Sequence, residues 1–182
     1  MTTGSFYHFF AGKEELLLAV LDREAETSAQ MLAEAEAASE IPLQRILRLF
    51  EFHRGNLVAE GLDLGSILSV VTTEIGNCSS RVRAGALRIQ ALYLRTLESW
   101  IEDAAGVGIN QDSLSFLVHA LLEGTLLQAR LMGDLSPFDR VIPQLDLLLS
   151  TPLRKVDGED GGEDLRRSSG VEEEEETNWR SW

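Results

Sequence analysis

Three histidines and one cysteine are the side chains of this chain best suited to catalysis or metal binding. His8, His53 and His119 lie far apart in the sequence, and none has a second ligand at helical spacing. Cys78 has no partner for an intrachain disulfide, and we expect it to be a small buried hydrophobic residue. No glycine-rich phosphate loop or nucleophile motif occurs. The sequence therefore predicts a protein that is not an enzyme and holds no metal or cofactor.

Two of the histidines occur in apolar surroundings. His53 lies on the apolar face of a helix, and His119 lies in a segment that is apolar nearly all round. Such a histidine can line a pocket and orient a small molecule there. The alternative is a core histidine that is hydrogen-bonded to a neighbour, and the pattern itself leaves both interpretations open.

Helical periodicity runs through the long segments that must position these residues. Residues 12–38 are rich in alanine, leucine and glutamate, and residues 42–60 repeat apolar side chains at intervals of three and four. We predict further helices at 66–75, 79–105, 112–132 and 137–150, with Ser136 as the cap of the last. The β-branched residues of 66–75 would also suit a strand, but the sequence offers no partner strand. The predicted fold class is therefore all-α.

Charge and hydropathy limit the classes of partner. Hydrophobic residues make up 44% of the chain, enough for a sizeable core, and no run of apolar residues is long enough to span a membrane. The net charge of −14 argues against non-specific binding to nucleic acid. About half of it lies in residues 156–182, which we expect to form a disordered acidic tail. The first residues lack the pattern of a signal peptide, so we expect a cytoplasmic protein.

The N-terminal segment carries a more specific pattern. Residues 2–17 read TTGSFYHFFAGKEELL, with Tyr7, Phe10, Gly12 and Lys13 at informative spacing. This stretch resembles a signature of the TetR family of transcriptional regulators, in which it forms the end of the recognition helix, a turn and the start of the next helix. The string of helices up to residue 151, which ends in two strongly apolar ones, is compatible with that family.

The resemblance implies roles for the polar residues of this segment. Hydroxyl groups suit base edges and phosphates, and a lysine at a helix start adds charge beside free backbone N–H groups that also favour anions. Phe9 departs from the pattern, because relatives often carry a polar aromatic residue there. By resemblance, the DNA-binding candidates are Thr2, Thr3 and Ser5 near the bases and Tyr7, His8 and Lys13 at the phosphates.

The family also implies a small-molecule effector held between the central helices, and a homodimer. The pocket candidates are Phe50, His53, Tyr93, Trp100, Phe116, His119 and Gln128. A helix that is apolar all round needs cover on every side, so we expect residues 112–132 and 137–150 to form a four-helix bundle with a second copy. The predicted interface residues are Leu121, Gly124, Leu127, Leu131, Val141, Leu145 and Leu148.

The expected organisation is the remnant of a helix-turn-helix unit at 1–24, a ligand-binding and dimerisation domain at 25–155, and the tail at 156–182. A helix-turn-helix needs a positioning helix before the recognition helix. Only Met1 precedes Thr2, so we expect an N-terminally truncated regulator with impaired binding to operator DNA. The predicted function is a TetR-type repressor controlled by an unknown effector. The alternative is a truncated ligand-binding or interaction dimer that does not bind DNA.

Overall fold

Five helices make up most of the part of the chain that the structure describes. The computed structural model describes residues 10–61, Leu68, Val71, 79–105 and 111–150. The helices are α1 (Lys13–Ala37), α2 (Pro42–Glu60), α3 (Ser80–Ala105), α4 (Gln111–Met132) and α5 (Ser136–Ser150). These described ranges contain no strand, so the prediction of an all-α fold is confirmed. None of these helices has both the length and the apolar content needed to cross a membrane.

Several sequence-based predictions concern residues outside the described part. Leu68 and Val71 are helical, as the prediction for 66–75 requires, and the other residues of that segment are not described. The tail at 156–182 and Cys78 also lie outside it. So do five of the DNA-binding candidates, namely Thr2, Thr3, Ser5, Tyr7 and His8.

The start of α1 follows from its local sequence. The carbonyl of Gly12 accepts a hydrogen bond from the Leu16 N–H at 3.2 Å and so closes the first turn. Gly12 has no side chain to cap the helix, but the Glu15 carboxylate reaches back and accepts a hydrogen bond from the Ala11 N–H. Lys13 is therefore held as the first helical residue, with its side chain exposed.

The start of α5 differs from the prediction. Ser136 is the first helical residue rather than the cap. The carboxylate of Asp134 accepts a hydrogen bond from the Ser136 N–H at 2.9 Å, and bonds from the Ser136 hydroxyl and N–H lower the pKa of Asp134. Aspartate and serine are equally good caps, so an aspartate and a serine two positions apart cannot be ranked from sequence.

Helix α3 lies at the centre of the body. It packs against α1, α2 and α4, while α5 packs against α2 and α4, and α1 also packs on α2. The core forms between these helices. Its largest fully buried side chains include Trp100, Phe50, Phe138, Leu21, Ile46 and Leu49.

Polar contacts tie the first half of α1 to the first half of α3. The Ser79 hydroxyl donates to the Glu14 carboxylate at 2.8 Å, and Arg81 lies 3.7 Å from the same carboxylate. Further along, Arg88 pairs with Asp22. These ion pairs are exposed and therefore contribute little stability. The apolar packing between α1 and α3 must therefore hold the two helices together.

Helices α1 and α3 approach closely where Gly85 faces Leu21. A Cβ atom at Gly85 would lie 3.0 Å from Leu21 Cδ1 and 3.6 Å from Leu21 Cβ. Leu21 is fully buried, so its side chain has little space into which it could move. The absence of a side chain at Gly85 therefore allows α1 and α3 to approach this closely.

Replacing Gly85 with alanine should destabilise the protein relative to the same substitution at Gly55. Gly55 lies inside α2 with no atom within 4 Å of an added Cβ, so Gly55→Ala should stabilise by about 1 kcal/mol through helix propensity. Gly85→Ala has the same propensity gain but overpacks against Leu21. Its free energy of unfolding, measured with urea and circular dichroism, should be at least about 1 kcal/mol below that of Gly55→Ala. Equal stabilisation would show that Leu21 can move aside.

Candidate functional site

Three of the pocket candidates meet in the middle of the helical body. His53 comes from α2, Tyr93 from α3 and His119 from α4. His53 Nε2 lies 3.1 Å from the Tyr93 hydroxyl oxygen, within hydrogen-bond distance. The ring centroids of Tyr93 and His119 are 5.2 Å apart, with the ring planes inclined by 49°. We refer to these three residues as the His–Tyr–His cluster.

The position of Tyr93 on α3 explains why the cluster forms. Ile89, Tyr93, Leu97 and Trp100 recur at intervals of three and four, so all four occupy the buried face of the helix. The phenol hydroxyl is thereby buried. A buried hydroxyl without a hydrogen-bond partner costs about 1–3 kcal/mol of stability. His53 supplies the partner that removes this cost.

Two polar atoms beside the cluster lack a partner of normal geometry. His119 is 5% exposed, and its Nε2 is buried without a hydrogen-bond partner among the described residues. The same holds for Oγ of Ser28, a fully buried residue of α1. The Ser28 hydroxyl lies close enough to Tyr93 to oppose the rise that burial causes in the pKa of the tyrosine.

Ser28 is a site residue that the sequence did not reveal. It lies in the second half of α1, where the periodicity of apolar residues is weak, so nothing in the pattern separates its buried face from its exposed one. A serine in a helix interior is also more common on the surface. Only the packing of α1 on α3 places it beside Tyr93.

Burial keeps the cluster uncharged near neutral pH. Desolvation, with a smaller contribution from His119, lowers the pKa of His53 to about 4. Desolvation also lowers the pKa of His119, against the opposing effect of Glu123. Burial raises the pKa of Tyr93. Both imidazoles are therefore neutral and the phenol is protonated, so the three residues offer hydrogen bonds without a formal charge. The described residues contain no set of three or more potential metal ligands.

The other pocket candidates do not join the cluster. Phe50 and Trp100 are fully buried and belong to the core. Phe116 and Gln128 are exposed on the outer side of α4, which corrects the expectation that they line the same pocket as His119. Because α4 is apolar on nearly all sides, its sequence gives no sign of which face turns inward.

The predicted interface residues divide between the surface and the core. Gly124, Leu127, Leu131 and Leu148 are exposed on α4 and α5, as an interface requires. Other large apolar residues are exposed on the same two helices, namely Phe116, Leu117, Met132 and Leu147. We call these eight residues the α4–α5 face.

Three predicted interface residues point into the protomer instead. Leu145 is 3% exposed and belongs to the protomer core, so its assignment to the interface is wrong. Leu121 and Val141 are half-buried against the same core. The physical reason is that α5 packs on α2 and α4, and a side chain that fills this contact cannot also meet a second copy.

Comparisons with other proteins agree with this architecture. No protein-family model matches the chain. The chain is 31% identical over 156 residues to an uncharacterised HTH-type transcriptional regulator of Mycobacterium tuberculosis H37Rv, a match that covers 82% of this chain and 78% of the relative. It is 26% identical over 158 residues to the HTH-type transcriptional repressor NemR of Escherichia coli K12, with the same coverage of each chain.

Solved structures of regulators share the fold. The regulatory protein TetR from Rhodobacter sphaeroides matches with a TM-score of 0.70 at 20% identity, over 80% of each chain. A TetR transcriptional regulator from Legionella pneumophila matches with a TM-score of 0.69 at 22% identity, over 81% of this chain and 80% of its own. The reduced form of E. coli NemR matches with a TM-score of 0.64 at 18% identity, over 85% and 83%. At these identities, the structures establish a common fold.

Lowering the pH from 7 to 5 should destabilise the wild type more than a His53→Gln variant. The pKa of His53 is lowered from 6.5 to about 4 in the folded protein. Between these two pH values the unfolded chain binds more protons than the folded protein, so the free energy of unfolding decreases as the pH is lowered. The step should cost the wild type up to about 2 kcal/mol through His53. Glutamine can still bond to Tyr93 but does not titrate. Equal losses in urea unfolding of both proteins would show that folded His53 protonates normally.

Proposed function

The chain belongs to the TetR family of transcriptional regulators, and on that premise we propose that it binds operator DNA under the control of a small-molecule effector. Its relatives in sequence are transcriptional regulators rather than enzymes, and one of them is named a repressor. We therefore assign a repressor role to this chain. Residues 1–24 would serve DNA binding, and residues 25–155 would bind the effector and form a dimer.

The observation that carries the effector proposal is the His–Tyr–His cluster. Polar groups from three helices meet inside the body, His119 Nε2 has no hydrogen-bond partner among the described residues, and Ser28 Oγ has none of normal geometry there. Buried polar atoms in folded proteins are almost always paired, and unpaired ones call for an explanation such as a binding role. Sites for small molecules are typically apolar with a few such convergent polar groups.

Helix α1 connects this site to the proposed DNA-binding segment. It begins at Lys13 and carries Ser28 fifteen residues later, about 22 Å along one continuous helix. Lys13 is exposed at the helix start, where its charge and the free N–H groups of the first turn both favour a phosphate. Thr2, Thr3, Ser5, Tyr7 and His8 complete the proposed DNA contacts.

Replacing Lys13 with glutamine should weaken operator binding. The loss of one phosphate contact should reduce the affinity for all sequences alike and lower the slope of log affinity against log salt by about one. The protein is purified from the organism that encodes it and titrated by fluorescence anisotropy against DNA from its own promoter region. Arg95→Gln removes the same charge from an exposed position in the second half of α3 and is the matched control. Equal effects of the two variants would contradict a specific DNA contact by Lys13.

The second part of the proposal is a homodimer that covers the α4–α5 face. Large exposed apolar patches usually mark interaction sites. Around Gly124, no atom of the protomer lies within 4 Å of an added Cβ, so a second helix could approach closely there. Two helices from each copy would bury this face as a four-helix bundle.

Replacing Leu127 with aspartate should convert the dimer to monomer without unfolding it. Leu127 is 50% exposed on α4, whereas Leu87 is 54% exposed on α3, so Leu87→Asp is a matched control that should leave the dimer intact. Leu145→Asp should instead unfold the protomer, because it buries a charge in the core. Size-exclusion chromatography with light scattering gives the mass, and circular dichroism monitors folding. A wild-type monomer, or a dimer in both Leu127→Asp and Leu87→Asp, would defeat the proposed interface.

A further inference from the structure

The exposed side of α4 carries charge only near its two ends. From 113 to 128 every exposed residue of the helix is uncharged, and the large ones among them are Phe116, Leu117 and Leu127. Asp112 is exposed in the first turn of α4, and Arg130 is exposed in the last. Neither of these two residues forms an ion pair with a described residue. A partner that covers this side of α4 therefore meets an acid at one end and a base at the other.

The sizes of the exposed side chains are symmetrical about the middle of α4. The small residues Ala120 and Gly124 are central, and the large residues Phe116 and Leu127 follow on either side. The midpoint of the small pair is position 122, and that of the large pair lies between 121 and 122. The two charged residues, at 112 and 130, have their midpoint at 121. Size and charge are thus arranged about one common point of the helix.

Both members of each outer pair also lie on the same edge of the helix. Phe116 and Leu127 are eleven residues apart, and Asp112 and Arg130 are eighteen apart. These separations correspond to about three and five whole turns of an α-helix. If an antiparallel copy faces α4 across a two-fold axis at the midpoint, each residue meets its counterpart from the other side of the midpoint, on the same edge. Phe116 would contact the partner's Leu127, and Asp112 would lie opposite the partner's Arg130.

We propose that a second copy of this chain packs antiparallel on α4, with the two-fold axis passing beside Ala120 and Gly124. The inference rests on the dimer proposed above and adds its orientation and register. No atom of the protomer lies within 4 Å of a Cβ added at Gly124, so the two helices can approach closely at the axis. The larger side chains on both sides fill the space where two crossing helices diverge. Each dimer then contains two pairs of Asp112 with the partner's Arg130.

The charges distinguish this arrangement from a parallel one. In a parallel pair about a two-fold axis, each residue lies opposite itself, so Asp112 would face a second aspartate and Arg130 a second arginine. Like charges that face each other across an interface are unfavourable. A different protein would not require opposite charges at equal distances from the centre of the exposed side. The self-complementary pattern therefore favours a second copy, in the antiparallel orientation.

Reversing either charge should weaken the dimer. Asp112→Arg places a like charge opposite the partner's Arg130 twice in each dimer, and Arg130→Asp does the same opposite Asp112. The dimer Kd should therefore rise at least about tenfold at low ionic strength. Arg95→Asp reverses an exposed charge on α3 and is the matched control, which should leave the Kd nearly unchanged. Sedimentation equilibrium of the full chain measures the Kd, and circular dichroism confirms that each variant is folded.

Combining the two reversals should restore the dimer. The double variant Asp112→Arg/Arg130→Asp exchanges the charges and recreates both ion pairs, so its Kd should return to within about threefold of the wild type. Co-expressed single variants should form the mixed dimer in preference to either homodimer, because only the mixed dimer has opposite charges at both ends. Native mass spectrometry distinguishes the three dimers. In a parallel pair, a single reversal would leave like charges facing each other and would not change the Kd.

Cross-linking tests the register without relying on charge. Phe116→Cys and Leu127→Cys are made in separate chains that also carry Cys78→Ser, so that only the introduced cysteine reacts. In the proposed register these two cysteines face each other in the mixed dimer, whereas two copies of either one lie about 16 Å apart along the helix axis. A short bifunctional maleimide should therefore join the co-expressed variants efficiently and each single variant poorly, as measured on a denaturing gel.

The outcomes separate the register from the proposed dimer. If Leu127→Asp dissociates the wild-type dimer but the charge reversals change nothing and the mixed chains do not cross-link, the register is overturned and the dimer face stands. Efficient cross-linking of Phe116→Cys to its own copy would overturn the antiparallel orientation in favour of a parallel one. A wild-type monomer, or a dimer that neither Leu127→Asp nor the reversals affect, would overturn both proposals. Restoration by the double variant together with the mixed cross-link would establish the register.

Discussion

Helix α3 is covered on three sides by α1, α2 and α4, and the contact between Gly85 and Leu21 sets how closely the first of these can lie. An interior of this kind is packed as densely as an organic crystal, so a single added methyl group is felt by the neighbouring helix. The close approach of α1 also brings Ser28 beside Tyr93. The arrangement of the polar site therefore depends on a contact that is itself entirely apolar.

A helix covered in this way must satisfy every polar group that it buries, and on α3 that group is the hydroxyl of Tyr93. His53 from α2 lies within hydrogen-bond distance of this hydroxyl. Its imidazole is buried as a result, and burial lowers its pKa to about 4. The His119 ring lies 5.2 Å from the Tyr93 ring, measured between centroids, and its Nε2 has no partner among the described residues. A buried polar atom without a partner costs free energy that an apolar atom in the same place would not. The polar set is consistent with the effector-binding role proposed above.

Helix α4 has two apolar sides with different surroundings. One side packs on α3 and α5 and carries His119 into the body. The other side exposes Leu127 and Leu131. This division accounts for a helix that is apolar nearly all round. It also means that the proposed effector site and the proposed dimer interface share one helix.

The helix positions and the family could be predicted from the sequence by itself, because periodicity, capping and end signals are local, and because residues 2–17 carry a specific pattern. The sequence could also nominate Tyr93 and His119 as site residues. It could not separate His119 from Phe116 three positions earlier, since on a helix that is apolar on nearly every side periodicity marks no inner face. Only the tertiary structure decided that Leu145 is buried and Leu148 exposed. These two leucines are chemically identical, and the packing of α5 against α2 and α4 is what distinguishes them.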